Sequence, residues 1–134
     1  MTILIKNKRI YTTFSREGIH CFPEALTDPQ YKTNDDMDVS FLGYPHRHIF
    51  HFYVEIDVQH DNRDIELIQF KRWLESIYNN STLFLDNKSC EMIADDLALI
   101  IHDKFPTKSF MIKISEDLEH GICKEYQVEN SFIK

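Results

Sequence analysis

Polar and apolar residues alternate most regularly between positions 46 and 58, and a period of two predicts a β-strand there. One face of this strand is expected to carry His46, His48, Phe50, Phe52, Val54, Ile56 and Val58. An earlier strand is predicted over residues 3–14, which are rich in β-branched and aromatic types. A third strand is predicted around Ile112, and a fourth over residues 122–128, after a turn at Gly121.

Two helices are predicted between the second and third strands. The first has apolar residues at helical spacing, namely Leu67, Phe70, Leu74, Ile77 and Tyr78. The second begins after Ser89, a favourable N-cap residue, and ends before Pro106. The resulting β-β-α-α-β-β order predicts an α+β fold, in which a four-stranded antiparallel sheet carries both helices on one face. Between the first two strands, residues 22–45 form a long loop, and loops of this length are often functional.

Composition limits the classes of function. The length of 134 residues fits a single domain, residues 1–134. A formal net charge of −7, without a run of Lys and Arg, argues against nucleic acid as a partner. Neither a membrane span nor a signal peptide is predicted. Three cysteines without a CxxC pair favour reduced thiols and a cytoplasmic location.

Three histidines are the strongest candidates for chemistry. His46 and His48 lie two residues apart on one strand, so their side chains share a face. If the first two strands pair as a hairpin, His20 comes beside them. Catalytic zinc sites typically use three protein ligands and leave one position open, and imidazole suits zinc. We therefore predict a zinc site at these residues, with ordinary surface or core histidines as the alternative. The other histidines, including His120, are expected to have structural or surface roles.

The element order, the early histidine and the segment His46-Arg47-His48 resemble the 6-pyruvoyl-tetrahydropterin synthase and 6-carboxy-tetrahydropterin synthase family. The resemblance covers roughly residues 8–128. It implies the tunnelling fold, zinc ligated by the three histidines, and a homo-oligomer whose subunits join their sheets into a barrel. It also implies a pterin or purine-like ligand, bound by Glu116 and by Glu91, which lies in a segment that resembles the family's P-T-x-E motif.

The sequence departs from the family at its catalytic residues. The family's cysteine lies four residues before H-x-H, where this chain has Leu42, and the family's Asp-His pair has no counterpart in residues 79–86. Cys21 is a candidate catalytic replacement, with an inert thiol as the alternative. Three functions stay open: a zinc-dependent lyase of the synthase type, a non-catalytic pterin or nucleotide binder, and a structural metalloprotein or oligomeric scaffold.

Overall fold

The structure is a computed structural model that describes residues 1–129, and it has an α+β architecture. Its main elements are β1 (Arg9–His20), β2 (His46–Asp57), α1 (Leu67–Ile77), β3 (Thr82–Phe84), α2 (Cys90–Lys104), β4 (Phe110–Glu116) and β5 (His120–Tyr126). The long loop between β1 and β2 contains two short 3₁₀ helices, Pro23–Leu26 and Ser40–Gly43. In this part of the chain, no helix is long and apolar enough to cross a membrane.

The sheet has five strands in the order β3-β1-β2-β4-β5, rather than the four that the sequence predicts. The additional strand is β3, which pairs in parallel with the end of β1, so the sheet is not wholly antiparallel. The other three pairings are antiparallel, as predicted. A strand of three residues is too short to show a period of two, and its pairing depends on where the chain returns to the sheet.

The first strand begins later and ends later than predicted. It runs from Arg9 to His20, whereas the apolar residues Ile3 and Leu4 are 88% and 86% exposed. β1 thereby matches the twelve residues of β2, and the two strands pair along their whole length. β2 itself begins at His46, as predicted.

The hydrophobic core lies between one face of the sheet and both helices, which confirms the predicted layering. The sheet contributes Phe14, Phe50, Phe52, Val54, Ile56, Phe110, Ile112 and Ile114, and the helices contribute Phe70, Leu74, Ile93, Ala94, Leu97 and Ile101. Ser89 caps α2 as predicted, because its Oγ accepts the backbone N–H of Met92. The cap fixes the start of α2, next to the ends of β1 and β4.

The hairpin between β4 and β5 turns at residues 117–119, so the predicted turn at Gly121 is wrong. Asp117 and Leu118 adopt left-handed backbone conformations there, with φ angles of 57° and 62°. Gly121 lies within β5, where a Cβ atom would stand 2.1 Å from the carbonyl oxygen of Ile114. Glycine at this position permits a close approach of two strands, and close backbone approach is a common reason for glycine inside a strand.

Candidate metal centre

The antiparallel pairing of β1 and β2 brings the three candidate histidines together. His20 ends β1 directly opposite His46, which begins β2, and His48 follows two residues later on the same face. One ring nitrogen from each histidine lies within 4.8 Å of the other two. The distance between ring centroids is 4.6 Å for His20 and His46 and 5.0 Å for His46 and His48. This spacing is compact enough for the three rings to share one metal ion.

Each of the three rings is held through Nδ1 by a hydrogen-bond acceptor. The bonds are from His20 to the carbonyl of Lys88 (2.9 Å), from His46 to the carbonyl of Tyr44 (2.8 Å) and from His48 to the carboxylate of Asp117 (2.7 Å). Since a carbonyl or carboxylate only accepts, each Nδ1 must carry the proton. In the neutral form of such a ring the lone pair of Nε2 stays available, and metal-ligating histidines are commonly held in this way.

The surroundings of His20 and His48 give two further reasons to expect a metal at this cluster. Burial lowers the pKa of His20, so its uncharged, metal-binding form is favoured. Nε2 of His48 is buried and has no hydrogen-bond partner among residues 1–129. A buried nitrogen without a partner is costly, and a bound cation would satisfy it. The residues present thus fit a divalent metal ion.

Glu116, the last residue of β4, extends its carboxylate beside the histidines. Its Oε2 lies 3.2 Å from Nε2 of His20, and its Oε1 lies 3.7 Å from Nε2 of His48. The side chain is only 17% exposed. Nε2 of His120 is 3.1 Å from Oε1, and the thiol of Cys90 donates to Oε2 at 3.8 Å. When the rings of His20 and His48 carry their proton on Nδ1 alone, their Nε2 atoms offer no proton to Glu116. A cation between these nitrogens and the carboxylate would then be favourable.

A cleft of about 710 Å³, which we call the histidine cleft, opens beside these residues. Among the predicted site residues, its wall includes His20, His46, Glu116, Glu91 and Cys21. Another cleft, of about 880 Å³, contains none of the predicted site residues. The histidine cleft is therefore the one whose wall contains most of the predicted metal-binding, ligand-binding and catalytic residues.

The predicted residues Cys21 and Glu91 take different positions in this cleft. Cys21 is half-buried, and its thiol donates to Oδ1 of Asn87 at 3.3 Å. Glu91 is exposed in the first turn of α2. Leu42 also lines the cleft and offers no acid or base.

Sequence reasoning missed two residues of the site, Asp117 and His120. Asp117 contacts His48 and also accepts the backbone N–H of Ile49, and these bonds, the one to Ile49 most of all, hold its pKa below the ordinary value. His120 is exposed, as predicted for a surface histidine, but it also contacts Glu116. A turn placed at residues 117–119 would have revealed His120, because it brings position 120 opposite position 116. The contact of Asp117 with His48 depends instead on the register of β2 against β4.

No protein-family model matches the chain, and a comparison with curated proteins finds no match. The resemblance to the tetrahydropterin synthases thus stays a prediction from motifs, and the function must be argued from the site itself.

Proposed function

We propose that this chain is a zinc-binding protein of the 6-pyruvoyl- or 6-carboxy-tetrahydropterin synthase type, which acts on or binds a pterin or purine-like ring in the histidine cleft. The observation that carries the proposal is the convergence of three Nε2 atoms whose rings are all fixed through Nδ1. The α+β layering and the antiparallel pairing of β1 with β2 are compatible with a tunnelling fold, which we propose as the finer description.

His20, His46 and His48 are the proposed zinc ligands. Three neutral imidazoles form a donor set that suits zinc and leaves one coordination position for a ligand. When bound, zinc supplies Lewis-acid polarisation of a ligand oxygen. His20 and His46 line the cleft directly, so a ligand in the cleft would lie next to the proposed site.

Glu116 is the proposed anchor for the ring. A carboxylate can accept two parallel N–H bonds from the edge of a pterin or guanine-like ring, as it does from a guanidinium. The thiol of Cys90 and the ring of His120 contact its oxygens and restrict its rotation. Because the side chain is largely buried, a ligand without the matching N–H groups would leave a charge unsatisfied, which would give specificity. Glu91, on the wall of the cleft, is the second proposed ligand contact.

Whether the cleft performs catalysis depends on a group that transfers a proton. Cys21 is the proposed candidate, since its thiol lines the cleft beside His20. Cys90 is unsuitable, because burial and the charge of Glu116 raise its pKa to about 12 and keep the thiol protonated. The second candidate function is a non-catalytic binder of a pterin or nucleotide on the same fold. The observation that favours it is Leu42, which stands where the family has its catalytic cysteine.

Metal content tests the proposal most directly. Purified wild-type protein loaded with zinc should contain about one zinc ion per chain, and the double variant His46→Ala, His48→Ala should contain little. The matched control is His51→Ala, His102→Ala, which removes two histidines outside the cluster and should retain zinc. Unchanged zinc in the first double variant would refute the site. Turnover of a dihydropterin triphosphate would then support the lyase, and binding without turnover would support the binder.

A further inference from the structure

We propose that Asp117 is a positioning residue that fixes the tautomer of His48, so that Nε2 of His48 is free to bind the metal. The inference rests on the proposed metal site. Asp117 does not line the histidine cleft, so its proposed effect on the site passes through His48.

Three hydrogen bonds hold Asp117 against β2. Its Oδ2 accepts Nδ1–H of His48 at 2.7 Å, and its Oδ1 accepts the backbone N–H of Ile49 at 2.8 Å. Its own backbone N–H donates to the carbonyl of Ile49 at 2.8 Å. Both carboxylate oxygens are thus used on adjacent residues of one strand, and the carboxylate cannot rotate away from His48 without losing the bond to Ile49.

The turn that places Asp117 has an unfavourable backbone. Aspartate tolerates a left-handed conformation, but a leucine at φ 62° is uncommon and strained. The side chain of Leu118 is 73% exposed, so burial of that side chain does not offset the strain. Strain of this kind clusters at functional sites, and here it accompanies the placement of Asp117 against His48.

His48 differs from the other two histidines in the nature of its acceptor. His20 and His46 donate to backbone carbonyls, which no side-chain substitution removes. His48 donates to a side chain, so its tautomer can be switched by mutation. With asparagine at position 117, Oδ1 can still accept the N–H of Ile49, but an amide N–H then faces Nδ1 of His48. Nδ1 would become an acceptor, the proton would move to Nε2, and the metal-binding lone pair would be lost.

The experiment compares Asp117→Asn with the wild type in two measurements. Long-range ¹H–¹⁵N NMR of the metal-free proteins, at a pH where the imidazoles are neutral, should show the proton of His48 on Nδ1 in the wild type and on Nε2 in the variant. Competition with a chromophoric chelator should show zinc affinity roughly ten- to hundredfold lower in the variant. Asp61→Asn is the matched control, because it makes the same charge change at a surface ion pair with Lys8 and should alter neither measurement.

If Asp117→Asn does not fold, the same substitution is made together with Leu118→Gly, since glycine relieves the left-handed backbone. An unchanged tautomer in the variant overturns the inference, whether or not zinc affinity falls. When the wild type binds zinc, an equal zinc affinity in the variant overturns it as well. If the wild type binds no zinc and the tautomer still switches, the proposed metal function fails while the positioning of His48 by Asp117 stands.

Discussion

Oε2 of Glu116 lies 3.2 Å from Nε2 of His20, and this nitrogen carries no proton in a neutral ring that donates through Nδ1 to the carbonyl of Lys88. Two acceptors therefore face each other in a largely buried site. Glu116 is also within 3.7 Å of Nε2 of His48. A cation, a hydrogen-bond donor, or both between the carboxylate and the histidine rings would stabilise this arrangement. A zinc ion together with a bound pterin or purine-like ligand would supply both.

The first prediction concerns Glu116. Glu116→Gln keeps the shape of the side chain but replaces one acceptor oxygen with an amide donor, so a ring with two N–H groups can no longer be matched. We expect zinc to be retained and the affinity for the ring to fall roughly ten- to hundredfold, the range for a lost hydrogen bond to a charged group. Calorimetry with neopterin and with guanine nucleotides measures the change.

Glu119→Gln is the matched control for Glu116→Gln, since Glu119 is an exposed glutamate of the same hairpin and lies outside the histidine cleft. Equal binding by wild type and Glu116→Gln, or no binding by either, would remove Glu116 from the ligand site. Loss of zinc from Glu116→Gln would make this residue a metal ligand instead.

The second prediction concerns Gly18, which pairs with His48 across β1 and β2. A Cβ at this position would lie 2.8 Å from two ring carbons of Phe50, which is fully buried. The Phe50 ring in turn packs edge-on against His20, with 5.2 Å between centroids. We expect Gly18→Ala to lower the free energy of unfolding by about 1–3 kcal/mol, the usual cost of overpacking, and to weaken zinc binding.

Urea denaturation of metal-free protein measures the effect of Gly18→Ala on stability. Ser15→Ala, at an exposed position of the same strand, is the control and should leave stability nearly unchanged. An unaltered unfolding midpoint in Gly18→Ala would show that Phe50 moves aside freely, and that its packing against the histidines is not tight.

The third prediction concerns the thiols. Because burial and the nearby charge of Glu116 raise the pKa of Cys90 to about 12, this thiol should resist alkylation at roughly pH 8, whereas the exposed Cys123 should react. Because folding raises the pKa of Cys90, the protonated thiol contributes to the free energy of unfolding at pH values below 9.0, the ordinary thiol pKa. This contribution is lost as the pH rises from 9.0 towards 12.

A time course with iodoacetamide, followed by peptide mass spectrometry, tests the order of thiol reactivity. Cys21 lines the cleft and should be alkylated more slowly when zinc and a ring ligand are present. Alkylation of Cys90 at the rate of Cys123 in folded protein would contradict the prediction.

The fourth prediction concerns assembly. The five-stranded sheet ends at β3, which has three residues, and at β5, which has seven. Unpaired strand edges favour pairing with another chain unless they are blocked. We expect a homo-oligomer that is joined through these edges, and light scattering across a concentration series measures its mass. A monomer alone at micromolar concentration would rule it out.

The sequence alone determined the parts of this protein that follow local periodicity. The alternation along β2 predicted its buried face, and the spacing around Leu74 and Leu97 predicted two helices on one side of the sheet. The H-x-H segment, together with an expected hairpin, was enough to place His20 beside His46. These features depend on residues that are close in sequence or on one simple pairing rule.

The tertiary structure alone decided the bonds that orient His20 and His48. His48 and Asp117 are 69 positions apart, and His20 and Lys88 are 68 apart. The hydrophobic periods of strands (two residues) and of helices (about 3.6 residues) relate only positions that are close in sequence, so they cannot predict these contacts. Their contacts depend on the register of β2 against β4, on the left-handed turn at residues 117–119 and on the parallel addition of β3 to β1. The sequence supplied the imidazoles, and the ring of His46 is held locally by the carbonyl of Tyr44. Long-range strand pairing decided which nitrogen of His20 and of His48 is free.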